Sequence, residues 1–103
     1  MVITKLRLIL SSDELERLMI TVTEDNIINI VADVHGMKCS EARRFINNII
    51  NTARCTVKLE VIHGYNHGTA IKDMLAQDFR NPHIELKYPD VYNRGMTHML
   101  IAA

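Results

Sequence analysis

The stretch "IINIVADVHG", residues 27–36, decides the fold. Ile27, Ile28, Ile30, Val31 and Val34 read as a strand, and Gly36 lets the backbone turn sharply where it ends. A helix follows. Ser40 is a good N-cap, and Ala42, Phe45, Ile46, Ile49, Ile50 and Ala53 recur at steps of three and four, which makes one broad apolar face. "TVKLEVIHG" is a second strand, with Val57, Leu59 and Val61 alternating against Lys58 and Glu60. "TAIKDMLAQDFR" is a second helix, with Ile71, Met74, Leu75 and Phe79 inward, and Pro82 in "NPH" stops it. "IELKY" and "THMLIAA" are two closing strands around the turn "PDVYNRG". Strands alternating with helices imply parallel neighbours joined by right-handed crossovers. The expected fold is therefore α/β: a two-layer sandwich with a βαβαββ core, a mixed four-stranded sheet and both main helices on one face.

Residues 1–26 precede this core and are expected to form an N-terminal extension to a domain of residues 27–103. In "KLRLIL", Leu6, Leu8 and Leu10 alternate as in a strand. In "SSDELERLMI", Ser11 and Glu14 fit a capping box, and Leu15, Leu18 and Met19 fall at helical spacing, so a short helix is expected. "TEDN" reads as a turn.

A chain of 103 residues suffices for one domain. Hydrophobic content of 48% and charged content of 23% are those of a globular protein. No apolar run approaches the roughly 20 residues that a membrane span needs, so no membrane partner is expected, and the cytoplasm is the default location. Cys39 and Cys55 flank one expected helix, too far apart to bridge, and read as free thiols. Net charge is zero but uneven. Residues 36–58 carry Lys38, Arg43, Arg44, Arg54 and Lys58 against Glu41 alone, enough for one basic face.

Chemistry concentrates at the ends of the two core strands. Residues i and i+2 of a strand share a face, so Asp33 and His35 point the same way. His63 precedes Gly64 as His35 precedes Gly36. If the strands are parallel neighbours, both His-Gly pairs meet at one carboxyl edge, where open α/β sheets bind ligands. Two helices also begin there, and their free N–H groups favour anions. Such a site suits a phosphodiester. One imidazole accepts a proton from an attacking hydroxyl while another donates to the leaving oxygen, and the carboxylate fixes a tautomer. Zinc is the rival chemistry, since His35, Cys39, His63 and His67 have ligand-capable side chains. But there is no CxxC, and Gly64 and Gly68 make the second pair a loop. His83 and His98 read as structural.

These motifs resemble a known family. "ADVHG" is similar to the LDLHG-type motif of the Smr (small MutS-related) domain. "HGYNHG" resembles its HGxGxG-type loop, and "NRGMTHMLIA" its closing stretch. The resemblance covers about residues 27–103. It implies a two-layer βαβαββ domain that nicks DNA or cuts RNA, or binds nucleic acid. It ties Asp33 and His35 to cleavage, and His63, Gly64 and Gly68 to substrate contact and backbone shape. With the acid–base reading above, the expected catalytic residues are Asp33, His35 and His63, and the expected nucleic-acid contacts are Lys38, Gly64, Tyr65, Asn66, His67, Gly68 and Lys72. Tyr65 stands where the family commonly has a cation and is expected to stack on a base. Asn66 stands for the middle glycine, and Lys72 is the nearest cation in the following helix.

Three functions are therefore expected in competition: an endonuclease using Asp/His acid–base chemistry, a non-catalytic nucleic-acid-binding module, and a protein-interaction domain. No cofactor is implied for RNA, whose 2′-OH serves as nucleophile. Cleavage of DNA needs water or a metal-bound hydroxide, which leaves a divalent metal open. DNA against RNA, the oligomeric state and the role of residues 1–26 stay open as well.

Overall fold

The computed structural model describes residues 2–25, 27–64 and 68–102. The chain runs α1 (Val2–Ile9), α2 (Ser12–Glu16), β1 (Leu18–Val22), β2 (Ile28–Asp33), α3 (Cys39–Asn51), β3 (Val57–Ile62), α4 (Ala70–Asp73), β4 (Ile84–Pro89) and β5 (Met96–Ile101). A π-helical turn, Met74–Asp78, continues α4. The described residues form a mixed α/β architecture, with four α-helices and one five-stranded sheet in the order β1-β2-β3-β5-β4. β2 and β3 run parallel, and the other three pairings are antiparallel.

The core strands follow from alternation. Along β3, Val57, Leu59 and Val61 are buried while Lys58 is exposed. The register sets Ile30 beside Leu59 and Ala32 beside Val61 on the same face. That face receives α3, which buries Ala42, Phe45, Ile46, Ile49 and Ile50. Its first residue is Cys39, and the side chain of Glu41 accepts from the Lys38 N–H at 3.3 Å. The helix thus starts before Ser40, the expected cap. The opposite face of the sheet is more open, with Asp13 and Glu16 of α2 bordering one end of it. It displays Met19, Val31, Ile62, Leu86, Tyr88 and Leu100 around Lys58, Glu60 and His98.

Residues 1–26 differ from the expected strand and helix. "KLRLIL" lies in and just after α1, and Leu6 and Leu10 are buried whereas Leu8 is 80% exposed. Leu6 and Leu10 are spaced i, i+4, so the alternating leucines satisfy a helix equally well, and burial against the core selected it. The capping box forms as expected. Ser11 Oγ accepts from the Glu14 N–H at 3.1 Å, and Glu14 Oε1 accepts from the Ser11 N–H at 2.9 Å. The helix nevertheless stops at Glu16, and Leu18–Val22 becomes a fifth strand where four were expected. The β-branched run Ile20-Thr21-Val22 favours that outcome. No helix among the described residues is long and apolar enough to cross a membrane.

Candidate active site

Parallel pairing of β2 with β3 sets Asp33 beside Ile62, and the Val34 N–H donates to the Ile62 carbonyl at 2.8 Å. The two His-Gly pairs therefore leave the sheet at one edge. A Cβ built on Gly64 would stand 3.8 Å from that of His35, so the two loops touch. Gly36 (φ 80°) and Gly64 (φ 72°) both adopt left-handed backbone, which costs other residues about 1–2 kcal/mol.

Asp33 and His35 form a pair. Asp33 Oδ1 lies 2.5 Å from His35 Nδ1 and accepts the His35 backbone N–H at 3.1 Å. A carboxylate only accepts, so Nδ1 carries the proton and Nε2 is the basic nitrogen of the neutral ring. The His35 side chain is 67% exposed, and no hydrogen bond engages Nε2 among the described residues. Val34, between them, is fully buried on the other side. The strand pleat thus anchors the pair while leaving its working nitrogen open.

Arg17, in the turn between α2 and β1, holds this arrangement. Its Nη1 donates to the Asp33 carbonyl at 3.2 Å and to the His35 carbonyl at 3.1 Å, and its own carbonyl accepts the Asp33 N–H at 2.9 Å. Nothing local in the sequence pairs residues 17 and 35, and this contact was not anticipated.

His63 is arranged otherwise. It is only 6% exposed. Nδ1 donates to the Gly64 carbonyl at 2.8 Å, which leaves Nε2 as acceptor for the Thr97 hydroxyl at 2.9 Å. Burial is the main cause that lowers its pKa below the ordinary 6.5, and the Lys72 charge adds to this against the raising effect of the Gly64 hydrogen bond. The lowered pKa favours the neutral ring, and both of its nitrogens are engaged in hydrogen bonds within the fold.

The neutral ring has a consequence for stability. The unfolded chain protonates this imidazole near pH 6.5, whereas the folded chain resists protonation until a lower pH. Folding stability is therefore expected to be fully present above about pH 6.5 and to fall as the pH drops from there through the lowered value. Urea unfolding across that range, with His63→Gln as the comparison, should show a flatter dependence in the variant.

The closing hairpin completes the site. The Gly95 carbonyl accepts the N–H groups of His63 (2.8 Å) and Gly64 (3.1 Å). A side chain at Gly95 would be crowded, since a Cβ there would lie 3.1 Å from Gly64 Cα. Asn93 Oδ1 accepts the Gly95 N–H at 2.9 Å, and Asp90 Oδ2 accepts those of Tyr92 and Asn93. Asp90 also accepts from His98 Nε2 at 2.6 Å, and that bond holds its carboxyl below the usual carboxylate range. His98 stacks on Tyr88, so this second Asp–His pair serves the hairpin.

These elements enclose a cavity of about 580 Å³ lined by His35, Met37, His63, Gly64, Lys72 and Gly95, among others. Of the residues expected to contact nucleic acid, Gly64, Gly68 and Lys72 line it. Lys38 is exposed and does not, and Tyr65, Asn66 and His67 lie outside the described residues. On its other side His35 borders a second cavity of about 490 Å³, shared with Asp13, Glu16, Arg17 and Asp33. Among the described residues no group of three side chains is arranged to hold a metal ion, and Cys39 and Cys55 are free. Comparison with protein-family models, with curated proteins and with solved structures found no match for this chain.

Proposed function

We propose that the chain is a phosphodiester-cleaving nuclease acting on DNA or RNA, of the Smr type that its motifs resemble. The observation that carries this reading is the Asp33–His35 pair. A carboxylate fixes Nδ1 and leaves Nε2 open at the rim of a cavity containing Lys72. Such a ring takes a proton from a hydroxyl, and the adjacent carboxylate stabilises the imidazolium that results. The Lys72 ammonium supplies positive charge for the phosphate. In this reading His63 is part of the framework. It joins the second loop to Thr97 and shapes the cavity wall, and a proton for the leaving oxygen comes from His35 after it has been charged, or from water.

The same reading takes residues 28–101, which run strand, helix, strand, helix, strand, strand, as the βαβαββ domain of that family. With free thiols at Cys39 and Cys55, it assigns the enzyme to a reducing compartment, the cytoplasm. Incubation with supercoiled plasmid and with single-stranded RNA tests it. Cleavage by the wild type that disappears in both Asp33→Ala and His35→Ala supports the mechanism. Equal cleavage by all three proteins removes it.

A further inference from the structure

The free edge of β1 carries the next inference, independently of the cleavage chemistry. In the β1–β2 ladder the Arg17 carbonyl accepts from Asp33, and the Thr23 N–H donates to Ile27. Antiparallel bonding alternates, so the odd residues 17–23 turn their peptide groups toward β2. Leu18, Ile20 and Val22 turn theirs outward, and no hydrogen bond from outside the sheet reaches them among the described residues. Proteins usually blunt such an edge with charge, proline or a bulge. The opposite edge strand does so, with Glu85, Lys87, Pro89 and an irregular register between Ile84 and Leu86. The sequence LMITV of β1 has none of these, and Met19 (66%) and Val22 (62%) are exposed along it.

Charge says what fits there. Asp13, Glu14 and Glu16 lie just before the strand, and Glu24 and Asp25 just after it. Arg17, the basic residue within the stretch 13–25, is engaged by the carbonyls of Asp33 and His35. At the Leu18 end, the cavity of about 490 Å³ sets Asp13, Glu16 and Asp33 around Met19, Val31 and Ile62, with Arg17 and His35 also on its wall. That combination suits an aliphatic stem with a cationic head. A second copy of β1 fits poorly. Antiparallel pairing would set the Asp13–Glu16 end against Glu24 and Asp25, and parallel pairing would set each acidic end against itself.

We propose that β1 receives an extended segment of another protein as a sixth strand, and that this segment has a β-branched or apolar middle and Lys or Arg at both ends. Backbone hydrogen bonds to Leu18, Ile20 and Val22 supply the affinity, and the acidic ends select the partner. The test uses the full chain and a fluorescein-labelled peptide of alternating valine and threonine with two lysines at each end. Anisotropy should rise on titration. Replacing the lysines by glutamates, or methylating the peptide nitrogens that face β1, should abolish the rise. Glu24→Lys with Asp25→Lys should weaken binding by about tenfold, which corresponds to about 1.4 kcal/mol, while circular dichroism stays that of the wild type. Absence of binding by the lysine peptide overturns the proposal. So does equal binding by the glutamate or methylated peptide, or sedimentation of the chain alone as a dimer that Val22→Lys dissociates.

Discussion

His35→Ala is expected to lower the cleavage rate by roughly 10²–10⁴-fold, the usual contribution of a positioned acid–base group. The loss should fall on turnover rather than on folding. The side chain is 67% exposed and, among the described residues, its ring bonds only to Asp33, so its removal is expected to change stability by less than about 0.5 kcal/mol. Asp33→Asn is the companion. An amide keeps the shape but can offer an N–H to Nδ1, which favours the tautomer with its proton on Nε2. That ring cannot accept a proton where the substrate needs it, so a large loss is expected here too. His63→Gln separates the two imidazoles. If His63 belongs to the framework, this variant loses stability first and turns over as the wild type does wherever it is folded. Single-turnover cleavage of RNA and plasmid by the three variants, with urea unfolding alongside, checks the set. A His35→Ala protein that cuts at the wild-type rate, or a folded His63→Gln protein as inactive as His35→Ala, would move the chemistry elsewhere.

The second large effect is expected far from that site. Leu6→Ala should destabilise the protein by about 2–5 kcal/mol, because Leu6 is fully buried and its loss leaves a void. Total stabilities of such domains are about 5–15 kcal/mol, so this is a large share from a helix near the amino end of the sequence. Each kcal/mol lowers the melting temperature of a domain this size by about 4–8 °C. Leu8→Ala is the internal control. Two residues further along the same helix and 80% exposed, it should stay within about 0.5 kcal/mol of the wild type. Urea unfolding of both proteins decides the matter. Equal stability of Leu6→Ala and wild type would mean that α1 does not close the core.

Legibility of the fold varied along the chain for physical reasons. β2, β3 and α3 carry one periodicity each, so their buried faces could be read directly from the residues. The leucines of "KLRLIL" satisfy two periods at once, and only packing chooses between them. Leu15, Leu18 and Met19 continue a helical spacing across Arg17, which hid β1. At the site, Asp33 and His35 were legible because two residues along a strand is a local relation. Arg17 and Thr97 were not. Their partners lie 16 to 34 residues away, and those distances close only in the folded sheet. The burial of His63 likewise depends on the arrival of β5, so its neutral and fully bonded ring could not be foreseen from "VIHG".

The position of β5 has a further consequence. It is the last strand in the sequence yet lies between β3 and β4 in the sheet. During synthesis, the half-built sheet must wait with an open flank until residues 96–101 leave the ribosome. Thr97 comes with that segment and the Gly95 carbonyl just before it, so the wall that fixes His63 is built after the strand that carries His63. Nascent chains stalled before it should be open to proteases, because β3 and β4 then lack the strand that joins them.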